Sequence, residues 1–202
     1  MSHPLRWLAL LALAAVVLAL EPITPGTPAP AFTLPNAQGA SVSLADFAGK
    51  IVVLEWVNFD CPFVRKFYRS GTMQELQREA AAQGVIWLSI CSSAPGQQGY
   101  FAGKALLDRI AAERAAPTHY LIDADGTVGR AYGARTTPQF VIIDREGVVR
   151  YSGAIDSIRS ADPSDIPKAK NYVRNGLREL IAGQPLSDAL TPPYGCSVKY
   201  AR

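Results

Sequence analysis

The chain has 202 residues, of which 49% are hydrophobic and 18% charged, and its net charge is +3. This length suits one domain, and the hydrophobic content excludes a disordered chain, which is poor in apolar residues. The small net charge argues against a nucleic-acid-binding protein, and the single long apolar run excludes a polytopic membrane protein.

The first residues have the features of a secretory signal peptide. An unbroken apolar run of 14 residues covers 7–20 and follows Arg6. Spanning a bilayer takes about 20 residues, whereas the core of a signal peptide takes about 7–15. Val17 and Ala19 fit a cleavage site of small residues. We therefore predict a signal peptide over 1–19 and an exported protein, periplasmic or extracellular; the alternative is a membrane anchor retained over 7–20.

The segment after the leader predicts a linker and then an α/β domain. Four prolines between positions 21 and 30 indicate an extended linker over 20–30. Apolar runs rich in β-branched residues predict buried strands, and amphipathic segments predict helices. Thr72 and Glu75 fit a capping box, Gly84 fits a helix end, and Pro117 fits the end of the next helix. The predicted strands cover 51–57 and 85–90, and the predicted helices cover 73–83, 100–115 and 169–182.

A short pattern occurs twice in the second half of the chain. The segments that start at Leu121 and Ile142 each read as a strand that runs into an acidic glycine turn. The second continues into 148–152, as a hairpin does. The alternation of strands and helices predicts a three-layer α/β fold whose first strands are parallel. We place this domain at 31–183 and a Pro-containing tail at 184–202.

Cys61 is the residue with the strongest chemical signal. It follows the first central strand by four positions, and Pro62 fits the first position of a helix, which makes Cys61 the N-cap. The helix N-terminus, Arg65 and Lys66 all favour a thiolate there, whereas Asp60 opposes it. Ligands of open α/β sheets bind at strand C-termini, where this thiol would lie. The alternative is a small buried residue in a turn.

The chain contains three cysteines, Cys61, Cys91 and Cys196. In an oxidising compartment an odd number of thiols needs an explanation. One explanation is a structural disulfide with a buried free thiol, and the other is a thiol that reacts.

Four segments together resemble a thioredoxin-fold redoxin of the peroxiredoxin-like branch of the alkyl hydroperoxide reductase and thiol-specific antioxidant family. Residues 29–50 are similar to the N-terminal hairpin of that family, and C-P-F-V over 61–64 aligns with the thioredoxin C-x-x-C. T-T-P-Q-F-V-I-I-D over 136–144 resembles the cis-proline segment, and Y-G-C-S-V-K-Y over 194–200 resembles a tail of some members. The resemblance implies a thioredoxin-like three-layer fold, in which helices flank a central mixed sheet, with an N-terminal hairpin extension.

The resemblance implies a cis peptide bond between Thr137 and Pro138, next to Cys61. In this fold the cis proline leaves the preceding backbone free to pair with an extended substrate. Thr137, Pro138 and Pro62 are therefore the predicted substrate-binding residues. The alternative is an ordinary trans proline at the start of a strand.

Glu55 lies within an apolar strand, where a carboxylate is either paired or has a raised pKa. It stands six residues before Cys61, at the position of the buried acid of thioredoxin, and the resemblance implies that it moves protons for the thiol. The alternative is an ion pair with Lys50 or Lys66.

Two cysteines compete as the partner of Cys61. Cys196 lies in a tail with little predicted regular structure, so we expect it to be accessible and to be the resolving thiol; the alternative is a structural clamp of the tail. Cys91 would approach Cys61 if the two predicted strands are neighbours; the alternative is a buried structural thiol.

Four positions depart from the family patterns. Val64 replaces the second thioredoxin cysteine, and Leu54 and Asn58 replace the Pro and Thr of the peroxiredoxin motif. Pro138 takes the place of the peroxiredoxin arginine. The groups that orient a peroxide bond and stabilise its leaving oxygen are not evident, which weakens the case for peroxidase activity.

The sequence therefore favours an exported thiol–disulfide oxidoreductase whose catalytic residues are Cys61, Cys196 and Glu55. The expected partners are protein or small-molecule thiols and disulfides and an external thiol reductant, with no nucleic acid, and with a membrane only if the leader is retained. No organic cofactor or metal is implied, since the chain has only two histidines. The alternatives are a thiol peroxidase that acts on hydroperoxides and a thioredoxin-like binding module without catalysis.

Overall fold

The structure is a computed structural model that describes residues 23–201. The predicted signal peptide and the beginning of the predicted linker lie outside the described residues. Within 23–201 no helix is both long and apolar enough to cross a membrane.

A five-stranded mixed sheet forms the centre of the described chain. The strands are β1 (Thr33–Pro35), β2 (Ser41–Ser43), β3 (Val52–Trp56), β4 (Ile86–Cys91), β5 (His119–Ile122), β6 (Thr136–Thr137), β7 (Gln139–Ile143), β8 (Val149–Gly153) and β9 (Cys196–Ser197). In the central sheet the order is β5-β4-β3-β7-β8. Strands β3, β4 and β5 are parallel, and β7 and β8 form an antiparallel hairpin, as predicted.

Helices and an N-terminal hairpin cover the two faces of this sheet. The α-helices are α1 (Pro62–Arg69), α2 (Thr72–Ala82), α3 (Gly103–Ala112), α4 (Thr127–Ala131) and α5 (Tyr172–Ile181), with 3-10 helices at Leu44–Phe47 and Pro163–Lys168. Side chains of β3 alternate between the faces: Val52, Leu54 and Trp56 pack with β1 and α4, and Val53 packs with α1, α2 and α5. This arrangement confirms the thioredoxin-like three-layer fold.

The predicted N-cap of α2 and the predicted bounds of α3 are wrong. The N-cap of α2 is Gly71, which has a φ of +82° and closes the turn from α1, so Thr72 and Glu75 form no capping box. Helix α3 begins at Gly103 and ends at Ala112, because Arg114 adopts a φ of +52° before Pro117 is reached.

The two acidic glycine turns have different continuations. After β7 the chain returns as β8, whereas after β5 it enters α4. Asp123 directs the second path, because its carboxylate accepts hydrogen bonds from the backbone N–H groups of Val128 and Gly129 at 3.1 and 2.8 Å. The sequence did not predict α4.

Candidate active site

Cys61 lies where the loop after β3 enters α1. The backbone N–H of Cys61 donates to the carbonyl of Asn58 at 3.0 Å, and the Cys61 carbonyl accepts from Val64 and Arg65. Cys61 is the N-cap of α1 and Pro62 is its first residue, as predicted. The Cys61 side chain is fully buried, whereas Pro62 is exposed beside it.

Two groups contact the sulfur of Cys61. The thiol donates to the backbone carbonyl of Thr137 at 3.1 Å, and its sulfur lies 2.6 Å from the sulfur of Cys196. Both cysteines are free thiols in this structure. A disulfide has a sulfur separation of about 2.03–2.05 Å, and its formation from two thiols also requires an oxidant that removes two electrons and two protons. The two sulfurs are therefore close enough for an oxidant to join them without a large movement of the backbone.

The tail has little regular structure, as expected, but Cys196 itself lies in a short strand. Strand β9 pairs antiparallel with β6, with Ser197 opposite Thr136 and Cys196 opposite Thr137. Cys196 is half-buried, because its strand lies along the segment that precedes Pro138. The Thr137–Pro138 peptide bond is cis. The tail thus occupies the backbone edge that was predicted to receive substrate.

Cys91 ends β4 and is buried, but its thiol contacts the carbonyl of Gly99 at 3.4 Å. Burial raises the pKa of the Cys91 thiol, which disfavours a thiolate near neutral pH. Although β4 lies beside β3, the sulfur that meets Cys61 among residues 23–201 is that of Cys196.

Glu55 is fully buried on the face of β3 covered by α1 and α2, and four side chains donate hydrogen bonds to its carboxylate. Burial raises the pKa of this carboxyl, although the four hydrogen bonds act in the opposite direction. The alternative of an ion pair is wrong, because Lys66 pairs with Asp156 at 3.4 Å and Lys50 is exposed. The donors are Ser89 at 2.7 Å, Trp87 at 2.8 Å, Tyr68 at 3.2 Å and Gln77 at 3.3 Å.

Asp60, the acidic neighbour of Cys61, is held by two arginines. Its carboxylate lies 2.8 Å from the guanidinium of Arg109 and 3.6 Å from that of Arg65. These pairs offset the negative charge that would oppose a thiolate at Cys61. Arg109 could not be predicted from the sequence, since it lies on α3, 49 residues away from Asp60, and no local pattern links the two residues.

Within residues 23–201 no group of three or more His, Cys, Asp or Glu side chains could hold a metal ion. The site itself presents two thiols in contact beside a cis proline.

Comparisons with known proteins place this arrangement in a family. The model described as the AhpC/TSA family matches residues 25–152. Two proteins from strains of Mycobacterium tuberculosis that are named as candidate peroxiredoxins are 59% identical over 32 residues, which is 16% of this chain. That match covers only 20% of the length of each relative.

Solved structures share the fold over most of the chain. A hypothetical protein from Sinorhizobium meliloti is 26% identical, with a TM-score of 0.73 and coverage of 90% of this chain and 97% of that one. An uncharacterised conserved protein from Geobacillus kaustophilus is 27% identical, with a TM-score of 0.77 and coverage of 89% and 93%.

A candidate thiol:disulfide interchange protein from Chlorobium tepidum shares the fold at 24% identity and a TM-score of 0.51, over 64% of this chain and 84% of that one. The family model covers well over half of the chain and coincides with the thioredoxin-like sheet and the Cys61 loop. The chain belongs to the AhpC/TSA family and has a thioredoxin-like fold.

Proposed function

We propose that this protein is an exported thiol–disulfide oxidoreductase in which Cys61 is the nucleophile and Cys196 is the resolving thiol. The observation that carries the proposal is the 2.6 Å contact between the two sulfurs, in a segment where β9 lies beside the cis proline. Two thiols that meet can give up a pair of electrons by forming a disulfide, and they regain the pair when that disulfide is reduced.

The reaction begins when the Cys61 thiolate attacks a substrate disulfide. The substrate S–S bond breaks, a mixed disulfide forms at Cys61, and one substrate sulfur leaves as a thiolate that takes a proton. The Cys196 thiolate then attacks the sulfur of Cys61 and releases the second substrate thiol. The substrate gains two electrons, and the protein is left with a Cys61–Cys196 disulfide that an external thiol reductant returns to the dithiol.

The proton on Cys196 controls the second step. Burial, together with the hydrogen bond and charge of Cys61, raises the pKa of Cys196 to about 12. The contribution from Cys61 disappears once that sulfur is bonded to substrate, since it is then uncharged. Formation of the mixed disulfide therefore makes Cys196 easier to deprotonate at the stage when its thiolate is needed.

The remaining predicted residues have supporting roles in this proposal. The backbone around Thr137 and Pro138 would pair with the substrate when β9 is displaced, and the exposed ring of Pro62 would border it. Glu55, whose pKa burial raises, would hold a proton beneath the site and exchange it during turnover.

Export is proposed from the leader. The apolar run over 7–20 supports a signal peptide over 1–19, followed by a linker over 20–30, the domain at 31–183 and the tail at 184–202. Retention of the run as an anchor would leave the same domain at a membrane surface.

A thiol peroxidase is the second candidate function. The family and the local match to peroxiredoxin-named relatives favour it. In that reaction the Cys61 thiolate would attack a hydroperoxide, form a sulfenic acid and release an alcohol or water, and Cys196 would condense with the sulfenic acid to give the disulfide and water.

Peptide mapping by mass spectrometry after a single turnover tests both candidates. We expect equimolar model disulfide to produce a Cys61–Cys196 bond in wild type and in Cys91→Ser, and equimolar hydroperoxide to react much more slowly. Rapid oxidation by hydroperoxide and slow oxidation by disulfide would favour the peroxidase. Indifference to both oxidants would favour a binding module.

A further inference from the structure

The tail crosses the site between two tyrosines. Tyr194 stands two residues before Cys196, and Tyr200 stands four residues after it. Each has a hydroxyl group bonded to a different part of the domain, and between them the backbone of the tail pairs with the core. Val198 donates to the carbonyl of Arg135 at 3.0 Å, and the carbonyl of Lys199 accepts from Ala94 at 2.8 Å.

Tyr194 fixes the tail to the helix of the nucleophile. Its hydroxyl donates to one carboxylate oxygen of Asp156, and the other oxygen of Asp156 lies 3.4 Å from the ammonium of Lys66 on α1. The ring of Tyr194 also meets Phe63 edge-on, with centroids 5.8 Å apart. Tyr194, Asp156 and Lys66 are all at least nine-tenths buried, so water does not compete for these bonds.

Gly195 lets the tail approach the site closely. Its φ is +138°, and a Cβ at this position would lie 2.0 Å from the carbonyl oxygen of Thr137. That carbonyl is also the acceptor of the Cys61 thiol. The tail backbone at Gly195 therefore packs tightly against the same carbonyl that the Cys61 thiol contacts.

Tyr200 fixes the other end of the tail on two glycines. A Cβ on Gly126 would lie 2.4 Å from the ring of Tyr200, and one on Gly129 would lie 2.4 Å from its hydroxyl oxygen. The hydroxyl donates to the carbonyl of Ala134 at 2.7 Å, and the guanidinium of Arg130 stacks 4.4 Å from the ring centroid. This end is fixed independently of Asp156.

We propose that Tyr194 and Tyr200 are positioning residues that hold Cys196 against Cys61 and that their release opens the site. The inference rests on the proposed function. While β9 is docked, Cys61 is buried and the edge of Thr137 is occupied, so an extended substrate must displace the tail. The same two anchors must then return Cys196 to resolve the mixed disulfide.

Weaker anchors should therefore change two rates in opposite directions. Reduced protein would expose Cys61 more often, so a neutral alkylating reagent would modify it faster. The mixed disulfide, prepared with a model thiol, would be resolved more slowly, since the tail would be docked for a smaller fraction of time. A global loosening of the fold would instead accelerate alkylation of the buried thiol of Cys91 as well.

The variants Tyr194→Phe and Tyr200→Phe remove one hydroxyl each. A hydrogen bond to a charged group is worth more than one between neutral groups, so we expect Cys61 alkylation to rise at least about tenfold in Tyr194→Phe and about fivefold in Tyr200→Phe. Resolution should slow by similar factors, while Cys91 alkylation stays at the wild-type rate. The matched control is Tyr172→Phe on α5, whose hydroxyl has no hydrogen-bond partner among residues 23–201; it should leave all three rates unchanged.

The inference is overturned if Cys61 alkylation is unchanged in both variants, or if Cys91 alkylation rises as much as that of Cys61. The proposed function and the anchoring role of the two tyrosines can fail separately. A wild-type protein that docks its tail but forms no Cys61–Cys196 bond after turnover would overturn the proposed function, and the alkylation ratio would still support the anchors as the device that closes the site.

Discussion

The two cysteines that meet in this protein are held in place by different parts of the chain. Cys61 is placed locally, by the end of β3, the start of α1 and the buried core around it. Cys196 belongs to a strand of two residues, and its place depends on contacts with residues far away in sequence. In the proposed reaction the nucleophile would thus belong to the sheet domain, and its partner would be delivered by a tail segment that must detach to admit substrate.

This contrast has an energetic basis. Displacing Cys61 would disrupt the main hydrophobic core, because its neighbours are core residues that pack on the five-stranded sheet. Displacing Cys196 requires the loss of a few hydrogen bonds and two aromatic contacts, which belongs to the low-stability end of local opening. An oxidoreductase that must admit substrate and then close its own disulfide benefits from this combination.

The largest expected effect concerns Cys61, the cysteine that is held in place by elements close to it in sequence. Cys61→Ser should lower disulfide-reductase activity by about a thousandfold or more, since the attacking thiolate is lost. The stability of the fold should change little, because Ser is close in size. The measurement is reduction of a model disulfide by the variant, with Cys91→Ser as the matched control, which should retain activity. Comparable losses in the two variants would contradict the assignment of the nucleophile.

The local part of the site is also the part that the sequence predicts best. A β-branched run that ends four residues before Cys61, followed by Pro62, indicates a strand, a loop and a helix N-terminus within a short window. Such short-range patterns decide the structure there because the same residues supply the elements and the cap.

The position of Cys196 and its tail could not be predicted in the same way. A strand of two residues is too short for hydrophobic alternation, and it forms only because β6 offers an edge 60 residues upstream. Cys61 and Cys196 are 135 residues apart in sequence, and Tyr194 meets Asp156 across 38 residues. Glu55 illustrates the same limit, since its four hydrogen-bond donors come from α1, α2 and β4.

The second largest effect should come from Gly195→Ala, which tests how the tail positions Cys196. The added Cβ would collide with the carbonyl of Thr137 at 2.0 Å, so the tail could not dock in its present path. Overpacking of this kind costs about 1–3 kcal/mol, so resolution of the mixed disulfide should slow by roughly fivefold to somewhat more than a hundredfold. Stopped-flow release of a coloured model thiol gives this rate.

The matched control for Gly195→Ala is Gly183→Ala, also in the C-terminal region. Gly183 has a φ of +68°, but an added Cβ would meet nothing within 4 Å. Both substitutions introduce backbone strain, but only the Cβ added at Gly195 would contact Thr137 in the candidate active site. Equal slowing in the two variants would show that strain in the C-terminal segment, and not contact with Thr137, is responsible.

The smallest effect concerns Glu55, which lies on the rigid side and does not touch the tail. Because burial raises its pKa in the folded protein above the ordinary value of 4.5, the folded state holds this proton more tightly than the unfolded state. Its contribution to stability is therefore complete below pH 4.5 and is lost as pH rises through the raised pKa. The amide side chain in Glu55→Gln cannot titrate, so the free energy of unfolding of this variant should no longer decrease as the pH rises through that range.

Urea unfolding at a series of pH values measures this slope, and Glu146→Gln, an exposed glutamate in no ion pair among residues 23–201, should retain it. If Glu55 also passes protons to the thiols, the pH profile of disulfide reduction should shift in Glu55→Gln. Alkylation of Cys61 at fixed pH reports opening of the tail, and it should stay at the wild-type rate in this variant. A change in the alkylation rate of Cys61 would mean that Glu55 influences docking of the tail. The position of Cys196 would then depend on the interior of the sheet as well as on the tail contacts.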